Sequence, residues 1–125
     1  MKKVIIPLAK NDFDPTEVAI PWLMMCEAGI EVVFASADGQ PGQTDPMMIS
    51  GEGLDPWGFI PGLNKIKLIG LALRANKSAR NAYEKLQKDK IFQNPLVFKD
   101  LKVDHFDGVF LPGGHASGMR NYCDD

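Results

Sequence analysis

A strand, a helix and a second strand follow one another within the first 36 residues, and this order constrains the fold more than any other feature. The apolar runs Val4–Ala9 and Glu31–Ser36 are typical of strands buried on both faces. Between them, Asp14–Glu17 supplies a capping acid, a proline at the first helical position and an acid three residues after the cap. The helix is predicted to run to Ala28 and to end at Gly29. Strands joined through a helix lie parallel, so the sequence predicts an α/β fold with a parallel sheet.

The remaining sequence supplies further helices and a third strand. The segment 38–62 is rich in Gly, Pro and polar residues, and long excursions of this kind are usually functional or packed over a neighbouring element. Helices are predicted over 64–74 and 76–88, after which Pro95 breaks the pattern. The third strand is the apolar run Gly108–Leu111. Doubly wound sheets commonly have five or six strands, so three strands indicate an incomplete sheet and the first half of a domain.

The turn that follows the third strand is the strongest sign of a site. In open α/β sheets, ligands bind beyond the carboxyl ends of the strands. Gly113 and Gly114 allow backbone N–H groups to approach a ligand closely, and His115 follows them at once. Glu17 comes just beyond the end of the first strand. If the first and third strands are neighbours in the sheet, Glu17 and the turn 113–115 lie together.

Each of these residues has a structural interpretation beside the chemical one. Glu17 either completes a capping box or holds a proton near a substrate, and the two roles can coexist. The two glycines either make a tight turn or donate backbone N–H groups to a developing oxyanion. His115 has no partner in the sequence at nucleophile or metal-ligand spacing. A histidine that lines the turn is therefore favoured over a base or a ligand.

Charge and apolar length exclude several classes of protein. A formal net charge of −2 disfavours a nucleic-acid partner. No segment approaches the ~20 apolar residues that span a bilayer. The short apolar N-terminus lacks a small-residue cleavage site, so we expect a cytoplasmic protein.

Cofactor and metal sites are not expected either. The turn after the first strand, Lys10–Pro15, contains no glycine and two acids, which argues against a dinucleotide. His105 precedes the third strand and is predicted at the opposite end of the sheet from His115, which argues against zinc. We therefore expect neither a cofactor nor a metal ion.

Neither cysteine has the surroundings of a nucleophile. Cys26 is predicted inside an apolar helix, where a thiol is usually an inert small hydrophobe. Cys123 is followed by two aspartates, whose negative charge we expect to disfavour the reactive thiolate. Neither follows a strand in a tight, glycine-flanked turn, which is the geometry that exposes a nucleophile.

Several segments, taken in order, resemble the ThiJ/PfpI family of the class I glutamine amidotransferase-like superfamily. They are FDPTEVAIPW (13–22), EAGIEVVFA (27–35), MISGEGLDPW (48–57) and FDGVFLPGGHA (106–116). The resemblance covers nearly the whole chain. It implies a flavodoxin-like, three-layer α/β sandwich, of which residues 1–125 would be the N-terminal portion of a single domain.

The resemblance also implies roles for particular residues. Glu17 matches the family's glutamate, Gly113 and Gly114 match a Gly-Gly pair near the oxyanion hole, and His115 matches the pocket-lining residue after it. The family's nucleophile is a cysteine on an elbow after a further helix and strand, which would lie beyond Asp125. Neither that role nor the role of the family's usual catalytic histidine is transferred to a residue of this chain.

What the resemblance implies for function is carbonyl or acyl chemistry. Complete relatives would use cysteine and glutamate on small aldehydes, such as methylglyoxal, or on amides, as glyoxalases, deglycases or amidases. We expect this chain alone to be inactive. The alternative is a chaperone-like or interaction protein that associates with itself or with the missing half. Its contact surface is predicted on the apolar side of the first helix, at Val18, Ile20, Trp22 and Met25.

Overall fold

Four parallel strands form the central sheet. The computed structural model describes residues 1–51, 59–63, 75–114, 117–120 and 122. In chain order the strands are β1 (Lys3–Pro7), β2 (Glu31–Ser36), β3 (Leu96–Val97) and β4 (Gly108–Val109). Their order across the sheet is β3-β2-β1-β4, and every neighbouring pair is parallel. The predicted α/β class, with its flavodoxin-like parallel sheet, is confirmed.

The predicted number of strands was wrong, because β3 was missed. It follows directly after Pro95, where the sequence pattern breaks, and it pairs with β2 only at Ala35 and Ser36. A strand of two residues is too short to show an apolar alternation. The predicted third strand is β4, and its ladder continues one residue further, since Phe110 N donates to Ile5 O at 2.9 Å.

Helix α1 spans Pro15–Glu27, and its ends are those that the local sequence predicts. The Asp14 carboxylate accepts hydrogen bonds from two first-turn amides, at 2.8 and 3.3 Å. Gly29 has a φ of 79°, and its N–H and that of Ile30 bond to carbonyls in the last turn. This pair of bonds closes the helix in the Schellman pattern, which needs a residue that tolerates the left-handed conformation.

Three further α-helices lie within the described ranges. They are α2 (Pro46–Ser50), α3 (Lys77–Gln87) and α4 (Lys90–Gln93). Helix α3 confirms the helix predicted over 76–88 to within one residue at each end. The helix predicted over 64–74 lies outside the described residues. No described helix is both long enough and apolar enough to cross a membrane.

The long excursion after β2 packs against the connection between β1 and α1. Asp45 N and Thr44 Oγ1 both donate to the Phe13 carbonyl, each at 2.9 Å. Gln43 N donates to Lys10 O at the same distance. The prediction that this segment covers a neighbouring element therefore holds for its described part, whereas residues 52–58 lie outside it.

Helices α1, α3 and α4 share one hydrophobic core with the sheet. Ile6 and Phe34 are paired in register, and both are fully buried. Phe92 of α4 meets Phe34 edge to face, with ring centroids 5.2 Å apart. Val18 and Trp22 of α1 belong to this core, at 0 and 7% exposure. The predicted contact surface on α1 is therefore wrong for these two residues, because they are already packed.

The outer edge of the sheet at β4 carries exposed apolar side chains. Val109 and Leu111 are 63 and 70% exposed. Val109 is paired with Ile5, and Ile5 and Ile6 face opposite sides of the sheet because they are consecutive in β1. Val109 and Leu111 therefore lie on the sheet face opposite to the one with Ile6. A cavity of about 320 Å³ lies there, lined by Ile5 and Val109 among others. Within the described ranges no strand pairs with the outer edge of β4, and the incomplete domain stays a prediction.

Candidate functional site

The strand order places Glu17 beside the turn that follows β4. Strand β1 is hydrogen-bonded to β4, with Val4 opposite Gly108 and Ile5 opposite Val109. Helix α1 begins after β1, and the Gly113–Gly114 turn follows β4, both at the carboxyl edge of the sheet. The condition on which the predicted crevice depended, that these two strands are neighbours, is met.

Gly113 is held to the start of α1 at two points. Its carbonyl accepts from Asp14 N at 3.0 Å, and its N–H donates to Glu17 Oε2 at 3.1 Å. In a complete capping box the Glu17 carboxylate would accept from Asp14 N instead. Here the Asp14 side chain caps the helix alone, and the solvent-exposed Glu17 side chain contacts the turn.

Lack of space, and not backbone conformation, requires a glycine at position 114, whereas at position 113 the space is only tight. Neither Gly113 nor Gly114 has a φ in the left-handed region. A Cβ at Gly114 would lie 2.6 Å from Asp12 O and 2.9 Å from Met119 Cγ, distances that real Cβ atoms do not show. A Cβ at Gly113 would lie 3.1 Å from Glu17 Oε2. The backbone therefore lies close to other parts of the protein at Gly114, and the predicted approach of a ligand to this turn stays a prediction.

The backbone amides of the turn differ in their availability. The Gly113 N–H is taken by Glu17. Among the residues that the structure describes, no acceptor pairs with the Gly114 N–H. Gly114 is thus the amide of the pair that is free to meet a ligand oxygen. His115 lies outside the described residues, so its role as a pocket wall stays a prediction.

Sequence reasoning missed one acid at this site. Asp12, in the connection between β1 and α1, has a φ of 70° and accepts from Gly118 N at 2.8 Å. The only signal in the sequence is an acid in a loop and a glycine 106 residues later. Nothing in a local pattern joins two residues so far apart.

Cys26 is remote from the crevice. It lies in the last turn of α1, nine residues after Glu17, which corresponds to about 14 Å along the helix axis. The thiol is exposed and not packed inside the core, contrary to the sequence interpretation. Partial burial and the nearby Asp89 carboxylate raise its pKa, which disfavours the thiolate. Cys123 lies outside the described residues.

A cavity larger than the one beside β4 lies away from Glu17 and the Gly113–Gly114 turn. A groove of about 910 Å³ runs between the loop 41–46 and α3, and its lining includes none of Glu17, Gly113 and Gly114. Exposed polar side chains of α3, such as Asn81 and Gln87, form much of its wall, as is usual for the solvated face of an amphipathic helix. The convergence of a carboxylate and a free backbone amide favours the Glu17–Gly114 crevice over this groove as the candidate site of chemistry.

Comparison with known proteins identifies the family. Residues 8–125 match the family described as ThiJ/PfpI family-like, and the chain belongs to it. An uncharacterized protein of Schizosaccharomyces pombe is 31% identical over 114 residues, a stretch that covers 90% of this chain and 37% of the yeast protein.

A solved structure supports the same fold. The X-ray structure of the 24 kDa rapid encystment protein of Francisella tularensis superposes with a TM-score of 0.54, at 16% identity. The alignment covers 95% of this chain and 46% of the Francisella protein. The chain therefore spans less than half the length of either relative.

Proposed function

We propose that this chain forms the glutamate and oxyanion side of an active site for nucleophilic chemistry on small carbonyl compounds. The single observation that carries the proposal is the contact of Glu17 Oε2 with Gly113 N, at 3.1 Å, beside the free amide of Gly114. An exposed carboxylate next to an unpaired N–H is the pair of groups that proton transfer and oxyanion stabilisation need.

The reaction needs a nucleophile from polypeptide that the described residues do not contain. In the proposed step a cysteine sulfur bonds to the carbonyl carbon while the carbon–oxygen π bond breaks. The thiol proton passes by way of Glu17 to the new oxygen, which gives a neutral hemithioacetal. The Gly114 N–H stabilises the oxygen while it carries negative charge, and one such donor contributes about 3 to 4 kcal/mol.

The charge of the crevice favours an uncharged substrate. Asp12, Asp14 and Glu17 all lie in the connection after β1 or in the first turn of α1. Three acids disfavour a phosphate or another anion, whereas a neutral aldehyde such as methylglyoxal, or a small amide, meets no such repulsion. The proposed substrate class is therefore a small neutral carbonyl compound.

The test measures methylglyoxal consumption and lactate formation by this chain and by the complete product of its gene. We expect turnover only from a polypeptide that contains the nucleophile. In that protein Glu17→Gln keeps an acceptor for Gly113 N but removes the titratable proton, and should lower kcat by about 10² to 10⁴. Glu27→Gln, an exposed acid at the other end of α1, is the matched control and should leave kcat unchanged.

Two results would overturn the proposal. Equal kcat values for Glu17→Gln and for the unchanged protein would remove the proton-transfer role. Turnover by this chain that survives replacement of both Cys26 and Cys123 by alanine would remove the need for a cysteine.

The second candidate is a non-catalytic interaction role, and the exposed edge of β4 favours it. An unpaired edge strand bordered by Val109 and Leu111 is a surface on which another chain can pair. We propose a second copy of this chain as the partner, and Val109→Lys should shift a dimer to monomer in light scattering. Ile91→Lys changes an exposed apolar residue of α4, away from the edge strand and from the cavity beside it, and is the control. A monomer before any substitution contradicts this candidate.

A further inference from the structure

Asp12 joins the connection after β1 to both sides of the segment that follows the Gly-Gly turn. Its carboxylate Oδ2 accepts from Gly118 N at 2.8 Å. Its carbonyl oxygen lies so close to Gly114 that a Cβ there would be 2.6 Å away. One residue thus contacts the backbone before and after positions 115–116.

The fit around Gly118 is as close as the fit around Gly114. A Cβ at Gly118 would overlap the Asp12 carboxylate, and Met119 is buried against the Gly114 position. The backbone at 118–119 is therefore held by two contacts, the hydrogen bond from Gly118 N to Asp12 and the packing of Met119 against Gly114. Without the hydrogen bond, only the packing of Met119 would remain.

The Asp12 carboxylate has no other described function. The cap of α1 is supplied by Asp14 and not by Asp12. Among the described residues no cation lies within ion-pair distance of Asp12. Asp12 is also the only described residue other than glycine with a positive φ, a conformation that aspartate and asparagine tolerate better than most side chains.

We propose that Asp12 is a positioning residue, which orients the Gly114 N–H through its contacts with Gly114 and Gly118. The inference rests on the proposed function, because that function gives the Gly114 N–H its role as oxyanion donor. Asp12 itself touches no substrate in this proposal. Its left-handed backbone directs the carbonyl towards Gly114 and the carboxylate towards Gly118.

Three substitutions separate the backbone role of Asp12 from that of its side chain. Asp12→Asn retains both the tolerance of a positive φ and an oxygen acceptor for Gly118 N. Asp12→Gly retains the φ but removes the acceptor, and Asp12→Ala removes both. Asp38→Gly is the matched control, since Asp38 also accepts from a loop amide, Gln40 N at 3.0 Å, outside the crevice.

The first measurement is backbone amide exchange and chemical shift in the ¹⁵N-labelled chain, and it requires no activity. Asp12→Gly should speed exchange of the Gly118 amide about ten- to a hundredfold, because a hydrogen bond to a charged acceptor is lost. It should also shift the Gly114 amide resonance. In Asp12→Asn the exchange rate of the Gly118 amide and the Gly114 amide resonance should stay close to those of the unchanged chain, and Asp38→Gly should alter neither.

The second measurement is turnover by the complete gene product in the methylglyoxal assay. There Asp12→Gly should lower kcat about tenfold with KM unchanged, because a displaced donor weakens the transition state only. Unchanged Gly118 exchange, or an unchanged Gly114 resonance, in Asp12→Gly overturns the positioning role. The amide signals test the positioning role of Asp12 even where no turnover is found. A failure of the proposed function can therefore be told apart from a failure of the positioning role.

Discussion

Replacing Gly114 with alanine adds a methyl group where the crevice has no space for it. The new Cβ would lie 2.6 Å from Asp12 O, and 2.9 and 3.0 Å from Cγ and Sδ of Met119. Met119 is 8% exposed and belongs to the hydrophobic core, so it cannot simply rotate into solvent. Either the connection after β1 or the buried side chain must move.

The cost of this overlap follows from known overpacking. Extra carbon atoms in a well-packed interior lower the free energy of unfolding by about 1 to 3 kcal/mol. The unfolding entropy of a chain of 125 residues is about 260 cal/mol/K, so each kcal/mol lowers Tm by about 4 °C. We therefore expect Gly114→Ala to lower Tm by about 4 to 11 °C.

Two other glycines of the same strand and turn serve as controls. At Gly108 a Cβ would lie 3.7 Å from Val4 Cγ2, an ordinary contact, so Gly108→Ala should change stability by less than about 1 kcal/mol. At Gly113 the close neighbour is the exposed Glu17 side chain, which can move, so Gly113→Ala should cost less than Gly114→Ala.

The assay is thermal and urea unfolding of the three variants, followed by circular dichroism. We expect Gly108→Ala to have the highest free energy of unfolding of the three variants, Gly113→Ala an intermediate value and Gly114→Ala the lowest. A Gly114→Ala protein as stable as the Gly108→Ala protein would refute the steric argument.

Two further predictions concern ionisable groups. The backbone N–H of Lys3 and then the nearby Lys2 ammonium lower the pKa of Asp107 below 3.8. The contribution of Asp107 to the free energy of unfolding is therefore full above about pH 4, and it is lost as the pH falls through the pKa of the folded protein. Urea unfolding of Asp107→Asn should therefore show lower stability at neutral pH and a smaller loss in acid, and an unchanged pH slope would contradict this. Burial and then Asp89 raise the pKa of Cys26 above 9.0, so iodoacetamide alkylation in a Cys123→Ala background should show its inflection above that pH. Asp89→Asn should lower the inflection, and an inflection below 9.0 in the Cys123→Ala protein would contradict the assignment.

The local elements were predictable because their causes are local. Asp14 and Pro15 start α1, and Gly29 ends it, through contacts within five residues along the chain. The buried residues of β2 similarly follow from the continuous apolar run in its own sequence. β3 was not predictable, since a pairing of two residues depends on the position of β2 and not on an apolar run.

The family resemblance also predicts Glu17 and the Gly-Gly pair as site residues, but it does not predict the way in which they meet. From the sequence alone, a capping box is favoured for Glu17 over a chemical role in a crevice. In the structure the Asp14 N–H donates to the Gly113 carbonyl and not to Glu17. The Glu17 carboxylate accepts from Gly113 N instead. That choice depends on which strand lies beside β1.

The sequence by itself determined a parallel α/β chain and, to within one residue, the bounds of its first helix, and it predicts Glu17, Gly113 and Gly114 at the crevice but not Asp12. Only the tertiary structure decided that β4 lies beside β1, which brings together Glu17 and Gly113, 96 residues apart, and Asp12 and Gly118, 106 apart. The physical reason is range: caps and turns are fixed by neighbours in the chain, whereas contacts across a sheet are fixed by the order of its strands.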